Sequence, residues 1–233
     1  MAFRLKLGQR LVGGRHGHAP DGSGGHIVRP KLYETVGAIG FAGRRRRVYD
    51  GLVALAGIAA GDRVCDVGCG TGYFTRRAAA AAGPTGKVTG IDPSEPVLAY
   101  ARGKAPANAD FVLAGGEAVP LGDGTCDVVV SSLAIHHIPP DLRPAAFGEM
   151  WRLLRVGGTL LVVDFRPPQG RVARHLIGAL SGHAMAHNPI AELPALATGA
   201  GFTPDEDGQR WPMLYYLRAK KFSRGAVSAT HSG

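Results

Sequence analysis

The chain has 233 residues, 45% of them hydrophobic, with Gly 35 and Pro 16. At roughly 100–200 residues per domain this supports one core with extensions, and it excludes a collagen-like repeat and a chain disordered throughout. The net charge of +9 is uneven: residues 1–47 hold ten basic and two acidic residues, 210–233 hold five basic and no acidic ones, and 48–209 hold twelve basic and sixteen acidic. An acidic body with two basic ends does not by itself point to nucleic acid.

Residues 1–43 read as a basic, Gly-rich segment that could cover a site as a lid. Phe3, Leu5 and Leu7 alternate with Arg4 and Lys6, and glycine loops follow. Val48, Leu52, Val53, Leu55, Ala56 and Ala59 recur near the helical period, predicting a core-facing helix over 44–60 with Arg44–Arg47 as a solvated start. The arginine run ahead of apolar 52–60 looks like a twin-arginine export signal, but Asp50 interrupts it and it leads into a core strand. A strand over 63–67 ends in a glycine loop. A helix over Tyr73–Ala82, a strand over 87–91, a helix over Glu95–Arg102 and strands over 110–113 and 127–132 follow. Val128, Val129 and Val130 mark the last of these as buried on both faces. Leu142, Ala146, Phe147, Met150, Trp151 and Leu154 form one helical face, with Gly157-Gly158 as its stop, before a buried strand over 159–165. A helix over 191–200 and a strand pair near 202–207 and 213–220 complete the body, and 223–233 is a flexible tail. Alternating strands and helices predict an α/β, doubly wound, mostly parallel sheet over 44–222.

Cys65, Cys69 and Cys126 contain no CxxC, which argues against a disulfide scaffold and for a reducing, cytoplasmic setting. No apolar run reaches the ~18–20 residues of a membrane span.

Ligands of such sheets lie beyond the carboxyl ends of the strands. The first strand ends in Asp66-Val67-Gly68-Cys69-Gly70-Thr71-Gly72. Alternate glycines let a backbone approach a ligand closely, and the next helix aims its free N–H groups at the same place. Asp92 closes the second strand 24 residues after Gly68, where an acid hydrogen-bonds a ribose diol. The G-x-G-x-G spacing is not the dinucleotide G-x-G-x-x-G, and no Arg or Lys stands in the loop to answer a pyrophosphate. An acid beside the loop suits the ammonium group of an amino-acid tail.

These residues resemble the class I S-adenosylmethionine-dependent methyltransferases, in particular their methyltransferase type 11-like small-molecule branch. Val64-Cys65-Asp66-Val67-Gly68-Cys69-Gly70-Thr71-Gly72 is similar to the family's first motif and Gly90-Ile91-Asp92-Pro93-Ser94 to its second. Asp127–Ser132 with His136-His137-Ile138-Pro139 is similar to the fourth-strand region, and Leu153–Leu160 to the turn into the fifth strand. The resemblance implies a Rossmann-like, seven-stranded, mostly parallel sheet with an antiparallel last strand, in a three-layer sandwich. It implies S-adenosyl-L-methionine as cofactor: Asp66 and the backbone of Gly68, Cys69, Gly70, Thr71 and Gly72 on the methionine part, Asp92 on the ribose, Pro93 and Ser94 beside the adenine, and Ser131 near the sulfonium. Where the family often has an acid after the third strand, this chain has Gly115-Gly116, which leaves Gly116 backbone or Glu117 for the adenine amino group.

His136 and His137 follow the fourth strand on the ligand side and are the candidate general bases; packing within their loop is the other reading. Two histidines with no third ligand do not make a metal site, so no metal is expected. Tyr33, in the lid segment, and His187 are candidate acceptor contacts, or else a packed aromatic and a surface histidine. Cys69 reads as a small filler. Together these imply a cytoplasmic methyltransferase acting on a small, apolar or aromatic acceptor, monomeric or homodimeric, with no stable nucleic acid complex and with peripheral membrane contact open. The alternatives are an RNA or protein methyltransferase using the basic ends, and a non-enzymatic cofactor-binding partner protein.

Overall fold

The computed structural model describes residues 41, 43–166 and 189–223. Helix α1 (Arg45–Ala56) ends where Gly57 takes φ 72, a left-handed C-cap that glycine adopts without strain. Strand β1 (Arg63–Val67), helix α2 (Tyr73–Ala82), strand β2 (Lys87–Asp92), helix α3 (Glu95–Arg102), strands β3 (Ala109–Leu113) and β4 (Cys126–Ser132), helix α4 (Arg143–Leu153), strand β5 (Leu154–Phe165), helix α5 (Leu193–Ala200) and strands β6 (Phe202–Arg210) and β7 (Leu214–Lys221) follow. The sheet order is β3-β2-β1-β4-β5-β7-β6. Strands β1 to β5 pair in parallel, and β7 lies antiparallel to both β5 and β6. This is the predicted seven-stranded α/β sheet, with its order reversing beside β1 and β4.

Successive side chains of a strand point to opposite faces, and this alternation sorts the core in two. Val64, Val128, Val130, Leu161 and Val163 pack with α1 and α2 through Tyr49, Leu52, Phe74 and Ala78. Val67, Val129, Leu160 and Val162 pack with α4 and α5 through Ala146, Phe147, Met150 and Leu193. Val129, Val130, Leu160, Leu161, Val162 and Val163 are all 0% exposed, as a central strand covered on both faces requires.

Three expectations are corrected. Gly157-Gly158 does not end the preceding helix: α4 stops at Leu153, and β5 begins at Leu154 and runs through both glycines. Sequence reasoning took glycine for a stop, whereas here it serves a crowded strand, in which a Cβ on Gly158 would lie 2.6 Å from Leu154 Cγ and 2.8 Å from the Asp127 carbonyl oxygen. The arginine run is not wholly solvated: Arg45 is buried, because the inward stripe of α1 begins at Arg45 and continues through Tyr49 and Leu52. Finally, Cys65 and Cys126, on neighbouring strands with their Cα atoms 6.3 Å apart, are joined as a disulfide, so the chain lacks a disulfide scaffold but carries one core bridge. Among the described residues no helix is long and apolar enough to cross a membrane.

Candidate active site and cofactor cleft

A cavity of about 240 Å³ opens beyond the carboxyl ends of β1, β2 and β4. The loop after β1 forms its floor. The N–H groups of Gly68 and Cys69 both donate to the Ile91 carbonyl at 2.8 and 2.9 Å, pinning the loop against β2. Gly68, Gly70 and Gly72 have φ of 76, 53 and 71, the left-handed region that glycine enters without penalty. Gly68 and Gly70 line the cavity, with Cys69 and Thr71. Gly72 is not among the lining residues; it starts α2, and a Cβ there would meet Phe111 at 2.9 Å and Ala101 at 3.2 Å.

Strand alternation turns Asp66 toward α2, where the Thr75 hydroxyl donates to Oδ2 at 2.6 Å. Burial pushes the Asp66 carboxyl up to about 7, with the charge of Asp92 adding to the effect and the Thr75 bond opposing it. A buried acid of this kind favours a cation beside it. Asp92 ends β2 with its two oxygens oriented by backbone: Gly70 N–H donates to Oδ2 and Ser94 N–H to Oδ1, both at 2.9 Å. Each carboxylate oxygen has further acceptor capacity for a diol. Pro93, Ser94, Gly116 and Glu117 complete this side of the wall. The Glu117 carboxylate folds back over Gly115, where a Cβ would collide with it; the bare Gly115 backbone makes room for that acid. Burial and the nearby Asp66 and Asp92 push the Cys69 thiol well above its usual range, in keeping with a filler.

The other end of the cavity is apolar and aromatic. Ser132, Leu133, Ala134, His137, Ile138, Pro139 and Leu142 face Arg45, Tyr49 and Tyr73. Tyr49 and Tyr73 meet edge to face, with ring centroids 4.9 Å apart, and the Arg45 guanidinium stands 3.8 Å from the Tyr73 centroid. Ser131, predicted near the sulfonium, is fully buried and does not line the cavity; its neighbour Ser132 does. The reason is again alternation: Ser131 shares the Val129 face and Ser132 the Val130 face. Among the described residues the hydroxyls of Ser131 and Ser132 are both buried with no hydrogen-bond partner, and of the two only that of Ser132 belongs to a residue of the cavity wall. Leu133 has φ 58, which costs a branched residue roughly 1–2 kcal/mol; strained backbone of this kind gathers at functional sites.

The two histidines separate in role. They lie on a 3-10 turn, Ile135–His137, with ring centroids 4.0 Å apart. His137 lines the cavity and His136 does not. His136 Nδ1 is hydrogen-bonded to Asp164 Oδ1 at 2.6 Å, while its backbone N–H donates to Oδ2 at 3.1 Å. Asp164, fully buried at the end of β5, therefore anchors the turn from below. Burial, together with the neighbouring His136, lowers His137 to about 4, so its ring is neutral near pH 7. Tyr33 and His187 lie outside the described residues. Sequence reasoning missed Arg45, Tyr49, Tyr73, Leu133 and Asp164. Only Tyr49 left a signal, one turn after Arg45 on the helix; the rest depend on contacts distant in sequence. Among the described residues no group of three or more His, Cys, Asp or Glu side chains is placed to hold a metal ion.

The parts fit S-adenosylmethionine: a glycine cradle with helix α2 opening beside it, an oriented carboxylate for a ribose, and a buried acid that favours an ammonium group. The fold and this site define a nucleoside-cofactor domain. Residues 64–158 match the family model described as "Methyltransferase domain". The ubiquinone/menaquinone biosynthesis C-methyltransferase of Ectopseudomonas mendocina is 34% identical over 121 residues, covering 50% of this chain and 46% of that protein. The enzyme of the same description from Pseudomonas putida is 29% identical over 171 residues, covering 71% and 64%. The chain thus spans about half to two thirds of the length of these relatives. A SAM-dependent methyltransferase from Aquifex aeolicus shares the fold, with TM-score 0.66 at 18% identity over 82% of this chain and 97% of that one. So does the [4+2]-cyclase SpnF, with TM-score 0.58 at 20% identity over 76% and 81%. Residues 64–158 thus match a methyltransferase domain, and the residues of the cleft fit S-adenosylmethionine.

Proposed function

We propose that the protein transfers a methyl group from S-adenosylmethionine to a small, apolar or aromatic acceptor, by in-line displacement, as a cytoplasmic monomer or homodimer. The observation that carries this reading is the continuity of one cavity: the glycine loop, Asp66 and Asp92 at one end run directly into Tyr49, Tyr73, Leu133, His137, Ile138 and Leu142 at the other. When bound, the cofactor supplies an electrophilic methyl group on a good leaving group. The chain's own task is then chiefly positioning, which can reach ~7–11 kcal/mol in well-oriented systems. Asp66 holds the ammonium, Asp92 the ribose, and Ser132 meets the ligand near the boundary of the two ends. The tyrosines and apolar residues hold an acceptor ring and keep water out.

His137 is the base of this reading. Its ring is neutral near pH 7, at the acceptor end, and its turn is fixed through His136 and Asp164. It would accept the proton that the acceptor gives up on methylation. The relatives are named as C-methyltransferases of quinone biosynthesis, which favours a carbon atom of an electron-rich ring as the acceptor. Tyr33 and His187 remain proposed acceptor contacts.

The deciding experiment is incubation with methyl-labelled S-adenosylmethionine and a metabolite extract, followed by identification of the labelled product. Because a cyclase shares the fold, cofactor binding alone does not decide the reaction. A labelled small molecule is the expected result; label only in RNA or protein, or label in nothing, overturns the reading.

A further inference from the structure

Helix α1 separates two surfaces. Arg45 and Tyr49 line the cofactor cavity. The other flank, Arg44, Arg47, Val48 and Gly51 with the edge of Leu52, joins Arg210 and Trp211 around a second groove of about 290 Å³. Trp211 and Met213 belong to the turn between β6 and β7. Because β7 is antiparallel to β5, with Leu214 opposite Phe165, this turn lies at the carboxyl end of the parallel strands, the same end as the cavity. Arg166 N–H donates to the Met213 carbonyl at 2.7 Å and ties the turn to the end of β5. The turn exposes Trp211 at 48% and Met213 at 39%. Arg44, Arg47 and Arg210 are all exposed around it, and the Arg44 guanidinium stands 5.6 Å from the Trp211 ring centroid. Asp50 is the acid nearest the run in sequence; it meets Arg46 at 3.7 Å and is shared with Arg77.

We propose that this face docks the protein on an anionic bilayer surface. Trp211 and Met213 enter the interfacial layer, where an amphipathic ring and an unbranched apolar chain are both accommodated. Arg44, Arg47 and Arg210 meet the lipid phosphates. The two contributions need each other: a few basic residues or one apolar turn gives weak attachment, and together they give more. Single-stranded nucleic acid would need open aromatic faces for base stacking, and Arg44 covers one face of Trp211. Docked this way, the protein presents to the membrane the end of the sheet on which its cavity opens.

The test is co-sedimentation of the full chain with phosphatidylcholine vesicles, with and without phosphatidylglycerol, at low and high salt. Binding is expected only to vesicles containing phosphatidylglycerol, and it should weaken as salt screens the charges. Each arginine near the surface is worth about fivefold in partitioning, so Arg44→Ala, Arg47→Ala and Arg210→Ala together should lower it about a hundredfold. Trp211→Ser should also lower it. In a Trp151→Phe background, the remaining Trp211 emission should shift to the blue on vesicle binding. The surface variants should keep the melting-temperature rise given by adenosylhomocysteine, which shows that they remain folded. Vesicle binding unchanged in the triple variant and in Trp211→Ser overturns the proposal, since the basic chain ends then carry it. Absence of vesicle binding, with or without binding to mixed RNA at the same salt, overturns it as well.

Discussion

Gly68→Ala tests the close packing of the cofactor loop, and Gly57→Ala is its control. The two glycines have nearly the same φ, 76 and 72, so an alanine at either pays roughly 1–2 kcal/mol for the left-handed backbone. They differ in what a Cβ meets. At Gly57 nothing lies within 4 Å, whereas at Gly68 the new atom would fall inside 3.0 Å of Ala134 Cβ. Ala134 Cβ has no rotamer by which to retreat, so the backbone after β4 must move, and overpacking of this kind typically costs about 1–3 kcal/mol more. For a protein of this size 1 kcal/mol is about 2–4 °C in melting temperature, which puts Gly68→Ala about 2–12 °C below Gly57→Ala. Ala134 also lines the cavity. The rise in melting temperature on adding adenosylhomocysteine should therefore vanish in Gly68→Ala and persist in Gly57→Ala. Thermal unfolding of both variants, with and without that ligand, reads all of this. Equal losses of stability together with an intact ligand shift in Gly68→Ala would refute the packing argument.

Asp92→Ala removes the acceptor for the Gly70 and Ser94 N–H groups as well as the ribose ligand, and should abolish the adenosylhomocysteine shift. In the wild-type protein NAD should give no shift, and the reverse pattern would overturn the cofactor assignment. Asp66 carries its proton to about pH 7 in the folded free protein, against 3.8 as its ordinary value. The folded state thus binds more protons between these limits, and stability falls as pH rises through that window. An ammonium ligand favours the ionised acid, so adenosylhomocysteine affinity, measured by calorimetry, should rise from about pH 6 to pH 8. Asp66→Asn should flatten that rise. His137→Ala should cut turnover of an identified acceptor by about 10²–10⁴ with little change in KM; unchanged turnover would remove the base. With His137 at about 4, its ionisation should not appear in the pH–rate profile between about pH 6 and 8. Asp164→Asn should cost about 1–3 kcal/mol in urea unfolding and lower kcat more than KM, because it releases the turn that holds His137.

The sheet and most of the cofactor end were legible in the sequence because both are local. The period-two and helical patterns set the β-α alternation, and glycines at 68, 70 and 72 beside Asp66, followed by Asp92, lie within a stretch of chain that one strand-loop-helix-strand unit folds together. Boundaries failed where a local rule met a tertiary demand. Gly157-Gly158 looks like a helix stop, but the crowding of Gly158 against Leu154 and Asp127 makes it a strand position. Cys65 and Cys126 are far apart in sequence and become partners only because β4 lies beside β1.

The acceptor end shows the division most clearly. By itself the sequence determined an α/β domain with a glycine-loop site for a nucleoside, resembling the methyltransferases, and two histidines after the fourth strand. Only the tertiary structure decided that His137 faces the cavity while His136 turns to Asp164, and that Ser132 rather than Ser131 does so. It also decided that Arg45, inside an apparently solvated arginine run, is buried over Tyr73. The physical reason is the same each time. Which way a side chain points depends on the register of its strand or the rotation of its helix against neighbours distant in sequence, whereas the cofactor loop is shaped by its own glycines.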